Sequence, residues 1–165
     1  MKTPRQFKRE RNGLTDYRKR YRLVKSGLPR LVVRPTSKSG VVQLVEFGKE
    51  GDHILKTITP KTLEKMGLGI RGNSTASFYL MGFAAGKFAG KSGIEEVILD
   101  TGRRKMTKGG RISAAVKGYA DAGGNIPHSE SILPNSKRIN GSHLKNKDDI
   151  KKNLETYKKK VEEVI

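Results

Sequence analysis

The chain predicts an α/β fold of the α+β kind: a mixed sheet of three antiparallel strands plus one or two added strands, helices packed on the sheet faces, a basic N-terminal arm and a C-terminal helix. Three observations carry this. Residues 29–47, PRLVVRPTSKSGVVQLVEF, place two β-branched runs around a loop of Pro, Thr, Ser, Lys and Gly, which is hairpin composition, and 53–59 supplies a third strand after a turn at 48–52. Residues 74–89 are apolar nearly all round, so a helix there is covered on both sides, and 95–100, EEVILD, which comes next, reads as a short, fully buried strand added parallel to the same sheet. The basic residues gather outside this middle, which divides the chain into an arm and helix at 1–28, an α/β core at 29–128, and a surface loop with a C-terminal helix at 129–165.

Charge is the strongest compositional signal: 35 Lys and Arg against 16 Asp and Glu give a formal net charge of +19. Residues 1–38 hold 13 basic and 2 acidic side chains, whereas 39–100 hold 7 of each. Residues 101–143 return to excess, with 8 basic and 2 acidic. A neutral apolar core with basic flanks suits a polyanion, because each neutralised phosphate releases condensed counterions. A membrane surface fits less well, since the basic segments lack the Trp, Phe and Leu face an interfacial helix buries. The longest apolar stretch, 78–86, is too short to span a bilayer, and the N-terminal MKTPRQFKRERNG has no apolar run of signal-peptide type. With no Cys there is no disulfide framework and no thiolate metal site.

In chain order, residues 1–13 carry Lys2, Arg5, Lys8, Arg9 and Arg11 with little to bury, and are expected to form an arm without structure of its own. Thr15 offers an N-cap and Gly27 a stop to a helix whose Tyr17, Tyr21 and Val24 form one stripe; packing against the domain is favoured for the tyrosines over base stacking. In the first hairpin strand Arg30, Val32 and Arg34 share one face and Leu31 and Val33 the other. One face enters a core while the other offers guanidinium groups, so Arg30, Arg34 and Lys38 make either a phosphate clamp or an ordinary solvated edge. Pro60 ends the third strand, and 62–66 forms a short helical turn. In the helix at 74–89, Gly82, Gly86 and Gly90 recur every four residues, a groove expected to pack tightly on the sheet. Arg103, Arg104, Lys105 and Lys108 cluster after the last core strand as a second basic patch. A helix comes next at Ile112, Ala115, Val116 and Tyr119, then one more short strand at 125–128. Residues 129–147 read as a long surface loop without period, and Asp148 caps a final helix with Ile150, Leu154, Tyr157, Val161 and Val164 on one stripe.

Catalytic patterns are absent from the sequence. Gly67, Gly69 and Gly72 match GxGxxG, but the preceding residues look helical, where a dinucleotide fold needs a strand. Asp100 stands at a strand exit without a partner acid or His beside it in sequence, and a structural role is expected. His53, His128 and His143 are dispersed, so neither a metal nor another cofactor is expected.

Several stretches together resemble the large-subunit ribosomal protein family L-eighteen, called number five in eukaryotes. They are TDYRKRYRLVKSGLPRLVVR at 15–34, GNSTASFYLMG at 72–82, EEVILDTG at 95–102, and the Ile-Pro-His and Arg-Ile-x-Gly-x-His pattern within 126–143. The last pattern and the long basic N-terminus resemble the archaeal and eukaryotic branch. The resemblance implies a non-catalytic cytoplasmic protein that binds 5S rRNA and helps attach it to the large-subunit rRNA in the central protuberance. Its neighbours there would include other large-subunit proteins, the other 5S rRNA-binding protein among them, with no membrane and no stable homo-oligomer. The implied 5S contacts fall on Arg5, Lys8, Arg9, Arg11, Arg18, Arg20, Arg22, Arg30, Arg34 and Lys38, with Tyr17 and Tyr21 as stacking groups. Arg103, Arg104, Lys105, Arg138 and His143 fall to the second rRNA. The acidic C-terminal tail of some archaeal relatives is missing, so contacts made by such a tail do not carry over. Two other classes remain: a nucleotide-dependent enzyme using the 67–72 loop, which saturable NAD or ATP binding would reveal, and a histone-like binder, which would hold random DNA as tightly as structured RNA.

Overall fold

The computed structural model describes residues 6–67, 73–141 and 147–164. The expected hairpin forms as β1 (Arg30–Pro35) and β2 (Gly40–Gly48), and β3 (Gly51–Ile58) comes after a tight turn in which Gly48 pairs with Gly51. β4 (Ile98–Asp100) joins β1 in parallel, with Arg30 opposite Ile98 and Val32 opposite Asp100, which gives a four-stranded mixed sheet in the order β3-β2-β1-β4. This last strand is shorter and less buried than the run 95–100 suggests. Ile98 and Leu99 are half-buried, and Glu96 makes only an isolated bridge to Asn125, so the strand expected at 125–128 is reduced to that bridge.

Strand alternation sends Leu31 and Val33 of β1 and Val42 and Leu44 of β2 into the core, all fully buried. Covering them is α4 (Thr75–Lys91), capped by Ser74, whose hydroxyl accepts from the Ser77 amide. Against it lies α5 (Arg111–Asp121), bringing Ala114, Ala115, Val116 and Tyr119 inward. The glycine groove serves this helix pair and not the sheet. A Cβ on Gly82 would stand 2.0 Å from the Ala115 carbonyl oxygen, and one on Gly86 would stand 2.8 Å from that of Tyr119. Gly118 of α5 answers from the other side, 1.9 Å from the Tyr79 carbonyl oxygen. The sheet side is filled instead by large residues such as Phe78, whose ring lies under Gly40. Gly90 faces open space.

Pro60, expected only to end a strand, is also the first residue of α3 (Pro60–Lys65), capped by Thr59 in a reciprocal capping box with Thr62. The last helix, α7 (Lys147–Val164), starts one residue before the expected Asp148 cap and lays Leu154 and Val161 on the core, while Lys158 sits 5.0 Å over the Tyr79 ring and Lys87 pairs with Glu162 at 2.8 Å. The Ile150 and Val164 side chains lie outside the described ones. The stretch expected as a loop holds a 3₁₀ turn, Glu130–Ile132, and α6 (Ser136–Ile139), with Ile139 buried: two apolar anchors, Leu133 and Ile139, pull it down where no helical period betrays them.

Two glycines on the α4–α5 seam and one off it should separate cleanly in chemical denaturation. Gly82→Ala and Gly118→Ala each force backbone apart and should lose ~1–3 kcal/mol. Gly90→Ala should gain ~0.5–1 kcal/mol from a less flexible unfolded chain.

Candidate nucleic-acid interface

The face of the sheet turned away from α4 and α5 carries Arg30, Val32 and Arg34, and across it lies α2 (Tyr17–Lys25). Asp16, not Thr15, caps this helix, accepting from the Lys19 amide at 3.0 Å. Its inward stripe is polar: Asp16, Lys19, Arg20 and Leu23, at helical spacing, line the cleft against the sheet. Lys19 Nζ donates to the Thr101 hydroxyl and the Gly102 carbonyl, both at 3.0 Å, and Arg20 donates to Asp52 at 2.8 Å. The stripe of Tyr17, Tyr21 and Val24 therefore buries only in part. Tyr21 is 66% exposed, and Tyr17 packs on Phe7 with ring centroids 5.3 Å apart. The Arg20 ion pair to Asp52 and the Lys19 tether have overridden the apolar stripe, whose rotation leaves Arg18, Tyr21, Arg22 and Lys25 together on the outer side.

Arg30 joins Asp52, at the start of β3, to a second acid, Asp100, at the end of β4. Only 1% exposed, it donates to Asp52 Oδ1 at 2.5 Å and to Asp100 Oδ2 at 3.4 Å. Arg34 closes the network, donating to Asp100 Oδ1 at 2.9 Å and to its carbonyl oxygen at 2.6 Å. Arg30 thus departs from the expected strand face that offers guanidinium groups outward: its cation is spent inside the protein, and Arg34 shares its own. Burial pushes the Asp52 carboxyl up, but hydrogen bonds and charge from Arg30 and Arg20 outweigh it and hold its pKa below the ordinary carboxylate value.

The exposed cations collect around this clamp. α1 (Lys8–Arg11) is a single helical turn in place of the expected unstructured arm, held by Phe7 on Tyr17 and by Arg9 Nε donating to the Thr15 hydroxyl at 3.2 Å. The loop after β4 folds back against it, with Arg103 packed on Gly13. One open cleft is consequently lined by Arg9, Lys19, Arg20, Arg34, Arg103 and Arg104, and a second beside it adds Lys105. The arm, α2 and the 103–105 loop, two separate patches by sequence spacing, form one continuous basic surface. Arg103, Arg104 and Lys105 are exposed on it, and Lys8, Arg11, Arg18 and Arg22 are exposed on the helices that border it.

Lys38 and Arg138 stand apart, exposed near the start of α5, where Arg138 donates to the Gly109 carbonyl at 2.7 Å. Arg5 and His143 lie outside the described residues. Sequence reasoning misses Lys19 and Arg111. The first is a tether to the 101–102 backbone; the second donates to the Thr36 carbonyl at 3.0 Å and to Asn73, pinning the β1–β2 turn. It also misses Asp52 as an organiser, because its partners Arg20 and Arg30 are distant in sequence, whereas the structural role expected of Asp100 is borne out by its pairing with Arg30 and Arg34. Gly67, the described start of the GxGxxG stretch, comes after α3 and not after a strand, which removes the context a dinucleotide loop requires.

The family model described as ribosomal large subunit proteins 60S L5 and 50S L18 matches residues 2–96. The chain is 48% identical over 153 residues to large ribosomal subunit protein uL18 of Thermoplasma acidophilum, covering 93% of this chain and 94% of that protein. It is 51% identical over 150 residues to that of Picrophilus torridus, covering 91% and 94%. For Methanothermobacter thermautotrophicus the identity is 46% over 138 residues, covering 84% and 72%. The class is thereby defined as a protein of the large ribosomal subunit, of the archaeal kind. Within that class the chain belongs to the family of 60S L5 and 50S L18.

Two measurements probe the clamp. Arg30→Met leaves Asp52 and Asp100 facing each other without their shared cation and should destabilise the fold by ~3–5 kcal/mol. Because the Asp52 pKa is lowered in the folded chain, its contribution is present above the unfolded carboxylate value near ~4 and lost as pH falls through the folded value. Asp52→Asn should therefore flatten the decline of the thermal midpoint below about pH 4 while leaving its slope near neutrality unchanged.

Proposed function

We propose that this chain binds 5S rRNA and helps attach it to the large-subunit rRNA in the central protuberance, as a non-catalytic constituent of the cytoplasmic ribosome. The observation that carries the reading is the convergence of α1, the sheet-facing side of α2 and the 103–105 loop on one basic cleft lined by Arg9, Lys19, Arg20, Arg34, Arg103 and Arg104, with Arg18 and Arg22 exposed on the other side of the same helix. Guanidinium groups there are fixed from below by the acid clamp while their neighbours stay free for phosphate oxygens. Tyr21, exposed between Arg18 and Arg22 on the helix, is placed for stacking on an unpaired base. Recognition is of backbone and shape, with base contacts secondary. Arg20, Arg30 and Arg34 act mainly by holding the surface, whereas Lys8, Arg9, Arg11, Arg18, Arg22, Arg103, Arg104 and Lys105 meet RNA. Lys38 and Arg138, on a separate side, are left for the second rRNA, and the other 5S rRNA-binding protein is among the neighbours.

The test is the salt dependence of 5S rRNA binding. Replacing Arg18, Arg22 and Arg103 by Gln removes three contacts from three positions on the surface, at ~0.7–0.9 per phosphate, and should flatten log K against log salt by about two units. Parallel lines for parent and variant would remove this surface from the interface. Equal affinity for random duplex DNA would favour the histone-like reading.

A further inference from the structure

The opposite end of the sheet has the reverse character. Where β1 and β4 begin, a shallow groove runs between β3 and the end of α4, floored by Leu55, Phe88 and Ile94 and rimmed by Glu46, Glu95 and Glu96. Leu55 is 38% exposed because it occupies the bulge opposite Leu44 and Val45, which turns it out of the ladder. Phe88 already takes a cation on its ring, with Lys56 Nζ 5.1 Å from the centroid. None of the three glutamates has an ion-pair partner among the described residues. In a chain of net charge +19, three unpaired carboxylates around apolar side chains are a local reversal of sign.

The sheet parts the two sites. Both strands run away from the groove, β1 from Arg30 to Pro35 and β4 to Asp100, where the basic loop begins. Asp100 stands only two strand steps, ~7 Å, beyond the start of β4, so it is the sheet and not its length that parts the groove, on the α4 side, from the basic cleft beside α2. RNA is disfavoured there, since its phosphates would face carboxylates. A cationic peptide is favoured, because its apolar side chains would cover Leu55, Phe88 and Ile94 while its ammonium or guanidinium groups meet the rim.

We propose that this groove docks a Lys- or Arg-rich segment of a neighbouring large-subunit protein. The site is separate from the RNA surface and stands whether or not the RNA bound there is 5S.

The decisive experiment puts a photo-cross-linking amino acid in place of Leu55 in the full chain and irradiates purified large subunits containing it. A protein adduct whose trapped peptide, read by mass spectrometry, carries Lys or Arg is the expected product. Its yield should fall at least fivefold when Glu46, Glu95 and Glu96 are all changed to Lys. An adduct confined to rRNA, or no adduct, overturns the proposal. If the altered chain fails to enter subunits, the free chain decides the matter with a fluorescein-labelled decapeptide of alternating Lys and Leu. The changes Glu46→Gln, Glu95→Gln and Glu96→Gln together should weaken that peptide at least tenfold, and equal affinity would contradict docking at this groove. Incorporation is scored separately in the same preparation, so loss of the ribosomal role and loss of the groove's role give different results.

Discussion

Arg30, buried between Asp52 and Asp100, is the interaction on which the functional surface depends. A cation in that position costs desolvation, and the two carboxylates offset the cost only by being held at the ends of β3 and β4, to either side of β1. The same carboxylates then have lone pairs left for Arg20 and Arg34. One buried charge thus fixes the distance between two strand ends and the orientation of α2 across them. The consequence is geometric: the helix turns Lys19 and Arg20 inward and Arg18, Tyr21 and Arg22 outward. A helix docked on its apolar stripe would have hidden the tyrosine and scattered the arginines.

Charge is separated along the sheet as well as across it. The loop after Asp100 and the arm carry exposed Lys and Arg, while the opposite strand ends carry Glu46, Glu95 and Glu96. The core between them is held by the glycine seam of α4 and α5, where backbones approach closely enough that no Cβ fits at Gly82 or Gly118. A rigid seam matters for a polyanion surface. Cations that repel one another stay in register only if the scaffold beneath them does not yield.

Much of the fold is legible in the sequence because its elements carry strong local signals: the hairpin's alternation, the Ser74 cap of α4, and the apolar run that becomes β4. The hidden parts depend on partners distant in sequence. The turn of α2 is set by Asp52 and by Thr101 and Gly102, about thirty and eighty residues on, and no helical period reports it. The glycine groove is visible as a spacing, but the spacing points equally to sheet or helix, because nothing local says that α5 offers Gly118 in return. The 129–147 stretch reads as loop since Leu133 and Ile139 bury without any repeat around them. Of the candidate contacts, the exposed arginines of α2 and the 103–105 loop are readable from charge alone. That they share one surface is not, because their contiguity comes from folding the loop against Gly13.

Hydrogen exchange of the full chain, free and mixed with 5S rRNA at saturating concentration, tests most directly whether the clamp presents the proposed RNA-binding surface. Segments spanning Tyr17–Lys25 and residues 101–106 should gain protection together on binding, and residues 92–96 at the acidic end should exchange as in the free chain. Protection that leaves α2 unchanged and appears at the acidic end would contradict that role for the clamp.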